Sequence, residues 1–170
     1  PLFFDLGNAS ERSSRNITGF PEVSVVQFLS FGSPGGTCSN LDTKAPPRIL
    51  AANATFVADS KIPVSDSVDG SRGKNAWRLL DRSEGGRVVP AIGDYTTVVW
   101  ILGKGLGGTI TVTDEHGQAV RLRIVAILHD SIFQGSLFVS EGSMKRLYPT
   151  LSQYDLFLFK LRGRESGGSE

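Results

Sequence analysis

The sequence is short of cysteine: among its 170 residues Cys38 is the one thiol. An intrachain disulfide and a cysteine metal cluster are thereby excluded, and with them the disulfide-rich secreted scaffolds. Histidine is scarce as well. His116 and His129 are too few and too isolated for a zinc site, which takes three or four clustered ligands. A surplus of charge of either sign is also missing, with 18 Lys and Arg against 17 Asp and Glu. That balance leaves no electrostatic footprint for nucleic acid or anionic lipid, so no nucleic-acid partner is expected. No apolar run exceeds the five residues of Val98–Leu102, against about 20 for a membrane-spanning helix. Pro1-Leu2-Phe3-Phe4 has neither the basic flank nor the length of a signal peptide. The chain opens without methionine and closes on a Gly/Ser/Glu tail, which reads as a fragment whose anchors lie elsewhere.

What is present suits a packed domain. Residues with apolar side chains make up 39% of the chain, enough for a core in one domain or two small lobes. The fold class expected is α+β: a β-rich mixed domain with a C-terminal, hairpin-based β lobe and few short helices. Residues 1–87 read as a loop-rich N-terminal lobe. There the β-prone runs Val23–Leu29 and Arg48–Leu50 stand apart, separated by Gly32-Ser33-Pro34-Gly35-Gly36. Residues 51–58 fit helix or strand. Asp59–Asn75 is polar without a clear period and reads as a mobile loop, and Ala76–Leu80 as a short helical turn.

From Val88 to Leu161 the pattern is sharper. Thr109–Thr113 alternates polar and apolar, Asp114-Glu115-His116-Gly117 supplies a turn, and Ala119–Leu128 returns with Val120, Leu122 and Ile124 on one face. Beyond Ile124 the apolar residues are continuous, as in a strand buried on both faces. A strand is expected at Ser136–Val139. Ser140 offers an N-cap for a helix reaching Leu147, and Pro149 ends it. A last strand covers Tyr154–Leu161, and residues 162–170 read as a disordered tail.

Chemistry is sparse in this sequence. His116 sits in the hairpin turn, where a solvated polar residue is the simplest reading. His129 beside Asp130 could orient a base for Cys38, but no cysteine-nucleophile signature surrounds that thiol. A thiol-dependent hydrolase using Cys38 is the weaker of two alternatives, the other being a free-standing secreted binding module. Gly103-Lys104-Gly105-Leu106-Gly107-Gly108 lacks the ending of a phosphate loop, and a strand follows where a helix should start. Asp66, Asp69, Asp81, Glu84 and Asp94 are scattered among polar segments without calcium-loop spacing. The sequons at Asn8, Asn16 and Asn53 matter only in a eukaryotic source. No catalytic, cofactor-binding or metal-binding residue is expected, and no cofactor.

The order of three segments carries a resemblance. They are VVPAIGDYTTVVWILGKGLGGTITVTDEHGQAVRLRIVAIL (Val88–Leu128), HDSIFQGSLFVSEGSMKRLYP (His129–Pro149) and the closing strand YDLFLFK. Together they resemble the extracytoplasmic region of bacterial ABC-transporter permeases of the FtsX-like/MacB-like family. RNITGF (Arg15–Phe20) and CSNLDTKAPPRIL (Cys38–Leu50) are weaker matches to the same proteins. The resemblance implies a domain outside the bacterial cytoplasmic (inner) membrane, on the periplasmic side, flanked by membrane helices. It implies a cytoplasmic ATPase subunit as partner, with ATP hydrolysed there and not on this chain. A substrate or envelope protein would be contacted, and the intact transporter could be a homodimer. Recognition is then expected on loops far from the membrane, with Phe31–Asn40 and Asp59–Asn75 as first candidates and Asp130–Gly135 next. Shortening 59–75 to a brief Gly/Ser linker would, on that reading, impair activity in the intact transporter while leaving the melting temperature nearly unchanged.

Overall fold

A computed structural model describes residues 9–16, 23–32, 47–60, 62–129 and 131–161. The elements run α1 (Ala9–Ser14), β1 (Val23–Phe31), β2 (Arg48–Ala52), α2 (Ala54–Asp59), β3 (Val64–Ser67) and α3 (Lys74–Trp77), which continues as a 3-10 turn over Arg78–Asp81. Then come β4 (Val88–Asp94), a π-helical turn (Thr96–Ile101), β5 (Thr109–Thr113), β6 (Ala119–Leu128), β7 (Ser136–Ser140), α4 (Glu141–Leu147) and β8 (Tyr154–Leu161). This is an α+β fold with few short helices, as the sequence implies.

Eight strands form one mixed sheet in the order β3-β6-β4-β7-β2-β1-β8, with β5 paired to β6. The boundary expected at 87/88 does not interrupt it. β1 and β2, from the N-terminal region, lie between β7 and β8, and β3 pairs with β6. The sheet is mixed because β4 runs parallel to β6, and β2 parallel to β7, while the other pairings are antiparallel.

Both faces of the sheet are covered, which explains the continuous apolar stretch in β6. On one face α2, α3 and the 3-10 turn close over Phe28, Leu50, Ile92, Val125 and Phe138. On the other, the π-helical turn and α4 close over Leu29, Ile49, Leu122, Leu137 and Val139. Between Ile124 and Ala126 the register against β4 shifts by one residue. This bulge lets Val125 and Ala126 share one core while Ile124 and Ile127 enter the other. The first core is aromatic. Phe138 lies 5.5 Å from Phe56, 5.2 Å from Trp77 and 4.9 Å from Phe133, ring centre to ring centre. These are edge-on or stacked geometries that aromatic rings favour.

The hairpin stands where the alternation put it. Val112 faces Val120 and Ile110 faces Leu122, while Thr109, Thr111 and Thr113 are exposed. Its turn is closed by Asp114, whose Oδ1 accepts from the backbone N–H of His116 and of Gln118, and Gly117 holds φ +74°. Ser140 caps α4, accepting from Ser143 N at 3.2 Å. Residues 51–58 resolve their ambiguity by dividing: β2 ends at Ala52, and Asn53 Oδ1 accepts from Phe56 N at 2.8 Å to begin α2.

One expectation is overturned. Asp59–Asn75 is not a single loop, because Val64–Ser67 is a strand paired antiparallel with β6. Ser65 is half-buried with its hydroxyl donating to Ile127 O, Asp66 is exposed, and a register shift between Val64 and Asp66 breaks the period, so only Val64 is buried. Four residues with one buried side chain are too short a window for alternation to register. The pairing completes the outer edge of β6. Residues 119–123 bond β5, and Ile124 accepts from Gly107 N and donates to Gly108 O. Val125 O accepts from Val68 N, and β3 takes residues 126–128. A long buried strand leaves no open backbone row this way.

Candidate functional site

Strand directions give the sheet two distinct ends. At one end lie the last residues of β4 and β6, the first residues of β7 and β2, and Phe31 of β1. At the other lie Val23 and Leu161, directly opposite one another on β1 and β8. The described chain therefore enters and leaves the sheet at the same end, and the π-helical turn and the Ser131–Gly135 loop occupy the opposite one.

That opposite end is built around Asp94. Its buried carboxylate accepts from Thr97 N at 2.8 Å and from the Thr97 hydroxyl at 2.6 Å, with a longer bond from Thr96 N at 3.3 Å. It thus satisfies the first free N–H groups of the π-helical turn, as an N-cap would. The Thr97 hydroxyl in turn accepts from Gly135 N at 2.8 Å, which ties the β6–β7 loop to the turn. Leu102 N donates to Thr97 O and Lys104 N to Val98 O, closing the far side. On this bonded frame stand large apolar side chains in solvent. Trp100 is 75% exposed, Ile132 78% and Tyr95 46%. Ile132 lies in Asp130–Gly135, the next loop expected to carry recognition, whereas Trp100 and Tyr95 lie in no segment the sequence singles out for contact. The available signal was an apolar run of five residues ending on Gly103-Lys104-Gly105, too short and too closely followed by turn residues to be wholly buried.

Other sequence candidates are dispersed. Cys38 and Asp130 lie outside the described residues, as does most of Phe31–Asn40. His129 is exposed just after β6, its N–H donating to Pro63 O, and His116 is exposed in the hairpin turn. In the glycine-rich turn, the N–H groups of Lys104, Gly107 and Gly108 are bonded to carbonyls of Val98, Ile124 and Gly105. They are spent on structure and do not form an anion cradle. Asp66, Asp69, Asp81, Glu84 and Asp94 do not converge. Asp69 pairs with Arg82 at 2.7 Å and Glu84 with Arg123 at 3.0 Å, while Asp94 is the cap just described. Among the described residues no three metal-ligating side chains cluster, and no helix is long and apolar enough to cross a membrane.

Two clefts are lined by described residues. One, of about 400 Å³, lies at the ends of the parallel strands β2 and β7, with an alanine-lined floor and Arg78, Asp81 and Glu141 at its rim. The other, of about 540 Å³, lies where the hairpin turn meets the segment after α4. Its walls are held by structural bonds. Glu115 accepts from the backbone N–H and the hydroxyl of Thr150, bonds that hold its carboxyl below the usual range. The Tyr148 hydroxyl donates to Thr113 O at 2.8 Å, and burial, then the nearby Asp114, raise its pKa. Its ring stacks on Phe31 with centres 3.7 Å apart. Neither cleft brings together a nucleophile, a base and an oxyanion donor, the constellation that acyl or phosphoryl chemistry requires.

Comparison with known proteins adds a likeness of fold. No protein-family profile matches the chain, and no curated protein matches it. Among solved structures the fold is similar to the extracellular domain of the noncanonic ABC-type transporter YknZ from Gram-positive bacteria. The identity is 15% and the TM-score 0.42, over 89% of this chain and 71% of that one.

Proposed function

We propose that this chain is the extracytoplasmic domain of an ABC-transporter permease subunit of the FtsX-like/MacB-like kind. The ordered segments from Val88 to Lys160 support the family, by the resemblance set out above. The observation that carries the mechanical part is the pairing of Val23 with Leu161. A domain inserted between two membrane helices must return its chain to the point of entry, and neighbouring antiparallel strands do so. On this reading the cytoplasmic ATPase subunit hydrolyses ATP and shifts the membrane helices. The sheet, packed on both faces, then moves as a body, because close-packed interiors transmit displacement with little deformation. Its far end meets a substrate or envelope partner differently in the two positions, which is all that coupling requires. The chain itself performs no catalysis.

The test is made on the protein at its natural length. Its reading frame should hold apolar stretches of about 20 residues on both sides of this region. A fluorophore on Thr111 should change its distance from the bilayer when magnesium and ATP are added with the ATPase subunit. A reading frame without such stretches, or an unchanged distance, sinks the proposal. So does micromolar binding of magnesium–ATP by the 170-residue chain alone.

A further inference from the structure

The two parallel strands β2 and β7 end side by side, Ala52 opposite Ser140, and their chains then part. β2 leads into α2, whose Phe56 joins the aromatic core on one face of the sheet. β7 leads into α4, whose Met144 and Leu147 join the core on the other. Adjacent parallel strands whose connections leave to opposite faces open a crevice at their carboxyl ends, the place where open α/β sheets hold ligands. Here that crevice is the cleft of about 400 Å³ between α2, the 3-10 turn and the start of α4. We infer that it binds a small zwitterion, with the acidic end on Arg78 and the ammonium on Asp81. The inference rests on sheet geometry and not on the transporter reading.

Shape sets the size of the ligand. Ala52, Ala54, Ala58 and Gly142 line the crevice, and a Cβ on Gly142 would meet nothing within 4 Å. The space left by the parting chains is therefore not refilled by large side chains. Its volume lies towards the low end of the range for small-molecule sites, about 300–1,000 Å³.

Charge selects the class. Arg78 and Asp81 both line the cleft, and they stand three apart in a 3-10 turn, positions that eclipse on one side of it. Among the described residues neither takes a side-chain hydrogen bond or an ion pair, not even with the other. Neighbouring charges are engaged. Glu141 holds Lys145 at 2.6 Å, Arg82 holds Asp69 at 2.7 Å, and Arg146 donates to Ser143 Oγ at 2.9 Å. Asp59, the last residue of α2, and Lys74, the first of α3, add one charge of each sign. A lone anion in the cleft would be set against Asp81 and Glu141, and a lone cation against Arg78. An apolar ligand would take water from both free charges without replacing its hydrogen bonds. A carboxylate or phosphate joined to a primary ammonium satisfies both by charge-assisted bonds, and a few apolar carbons can lie on the alanine floor. Free amino acids and the phosphoethanolamine headgroup of lipids share this chemistry.

Titration of the isotope-labelled 170-residue chain, followed by NMR, tests this. The probes are L-leucine and glycerophosphoethanolamine. N-acetyl-L-leucine, which lacks the ammonium, and L-leucinamide, which lacks the acid, are the controls. At least one zwitterion should shift the amides of Ala54, Val57, Arg78 and Gly142 and leave those of Thr111 and Val120 unmoved. Arg78→Ala and Asp81→Ala should each weaken binding at least tenfold, with melting unchanged because both side chains are exposed. Gly142→Leu, which adds bulk to the lining and keeps both charges, should weaken it as much. Each control should bind at least tenfold more weakly than the zwitterion. L-leucine binding alone assigns the site to free amino acids, and glycerophosphoethanolamine binding alone to a lipid headgroup; either supports the inference. It is overturned if neither zwitterion moves these amides at tens of millimolar, or if a control binds as well as the zwitterion. Affinity indifferent to both charge substitutions would overturn it too. None of these outcomes bears on ATP-driven displacement, so the transporter reading stands or falls separately.

Discussion

Arg48 Nη2 lies 2.9 Å from Asp155 Oδ1, joining the start of β2 to the edge strand β8 across β1. Ser30 of β1 completes the link: its hydroxyl donates to Asp155 and accepts from Arg48 at 3.1 Å. The place matters because β1 pairs with β2 only at Ser30 and Phe31, while it pairs with β8 from Val23 to Leu29. The ribbon that carries both chain exits is thus joined to the rest of the sheet near this triad. Arg48 is also largely buried, its side chain 14% exposed.

Removing one partner from a largely buried pair leaves the other short of a counter-charge. Asp155→Ala should therefore cost about 1–2 kcal/mol, less than a fully buried pair because Asp155 is partly solvated. Native-state hydrogen exchange should show where the loss falls. Amides of β8 from Leu156 to Phe159 should lose more protection than those of β6 at Leu122 and Ile124. Equal loss in both strands would mean that the triad does not hold the ribbon in particular.

Two glycines should respond in opposite directions to alanine. A Cβ on Gly93 would fall 2.6 Å from Leu137 Cδ2 and 2.7 Å from Val98 Cγ2, both fully buried. Overpacking of this kind costs about 1–3 kcal/mol, so Gly93→Ala should be plainly destabilised in urea. Gly142, inside α4, has nothing within 4 Å of the same atom. Gly142→Ala should match the parent or gain up to about 1 kcal/mol from reduced freedom of the unfolded chain.

The sequence was readable where local chemistry and period agree. Thr109–Thr113, the Asp114–Gly117 turn and Val120-Leu122-Ile124 satisfy alternation, turn geometry and burial together, and Ser140 lies where a cap belongs. The alternation of β1 was legible, but its seat between β2 and β8 was not, because pairing across more than 100 residues leaves no local trace. β3 was missed because one buried side chain gives no period. The exposure of Trp100 was missed for the converse reason. Trp100 and Val98 share one apolar run, and only the turn's geometry buries Val98 while leaving Trp100 in solvent.

Gly117 offers a test of backbone strain free of packing. Its φ is +74°, and a Cβ there meets nothing within 4 Å. Any penalty is then conformational, about 1–2 kcal/mol for a β-branched residue. Gly117→Val should be destabilised by that amount in chemical denaturation, and Gly117→Asn, which tolerates the left-handed region, by clearly less. Equal losses for the two would point to some other role for this position.

Asp69 should titrate far from an ordinary aspartate. Hydrogen bonds from Ser71, then the Arg82 guanidinium, lower its pKa from 3.8 to about 2. A carboxylate depressed in the folded state contributes stability that is present above the unfolded value and lost as pH falls through the folded one. The contribution should therefore fade between pH 3.8 and about 2. Because the group is exposed, the effect on melting should be small. The sharper measurement is the side-chain carboxyl shift by NMR, which should still report the ionised form at pH 3. An ordinary midpoint there, or one that Ser71→Ala and Arg82→Ala leave in place, would show that these bonds do not persist in solution.

Replacing residues 62–72 with a short Gly/Ser linker should unfold more than a loop. The segment supplies Val64, which is buried, and Ile62, which packs on the aromatic core. It also gives the backbone bonds that β3 and Val68 make to residues 125–128 of β6. Without it, a strand buried on both faces would show unpaired polar groups to solvent beside exposed apolar side chains. The apolar loss alone is on the order of 2–3 kcal/mol. For a chain of this size that corresponds to a melting temperature lower by about 5–10 °C. Replacing 69–72 alone, beyond the strand, should leave melting nearly unchanged, since it removes mainly the exposed Asp69–Arg82 pair. If both deletions melt like the parent, β3 contributes nothing to the sheet. If both melt equally low, the Asp69 turn stabilises the edge as much as the strand does.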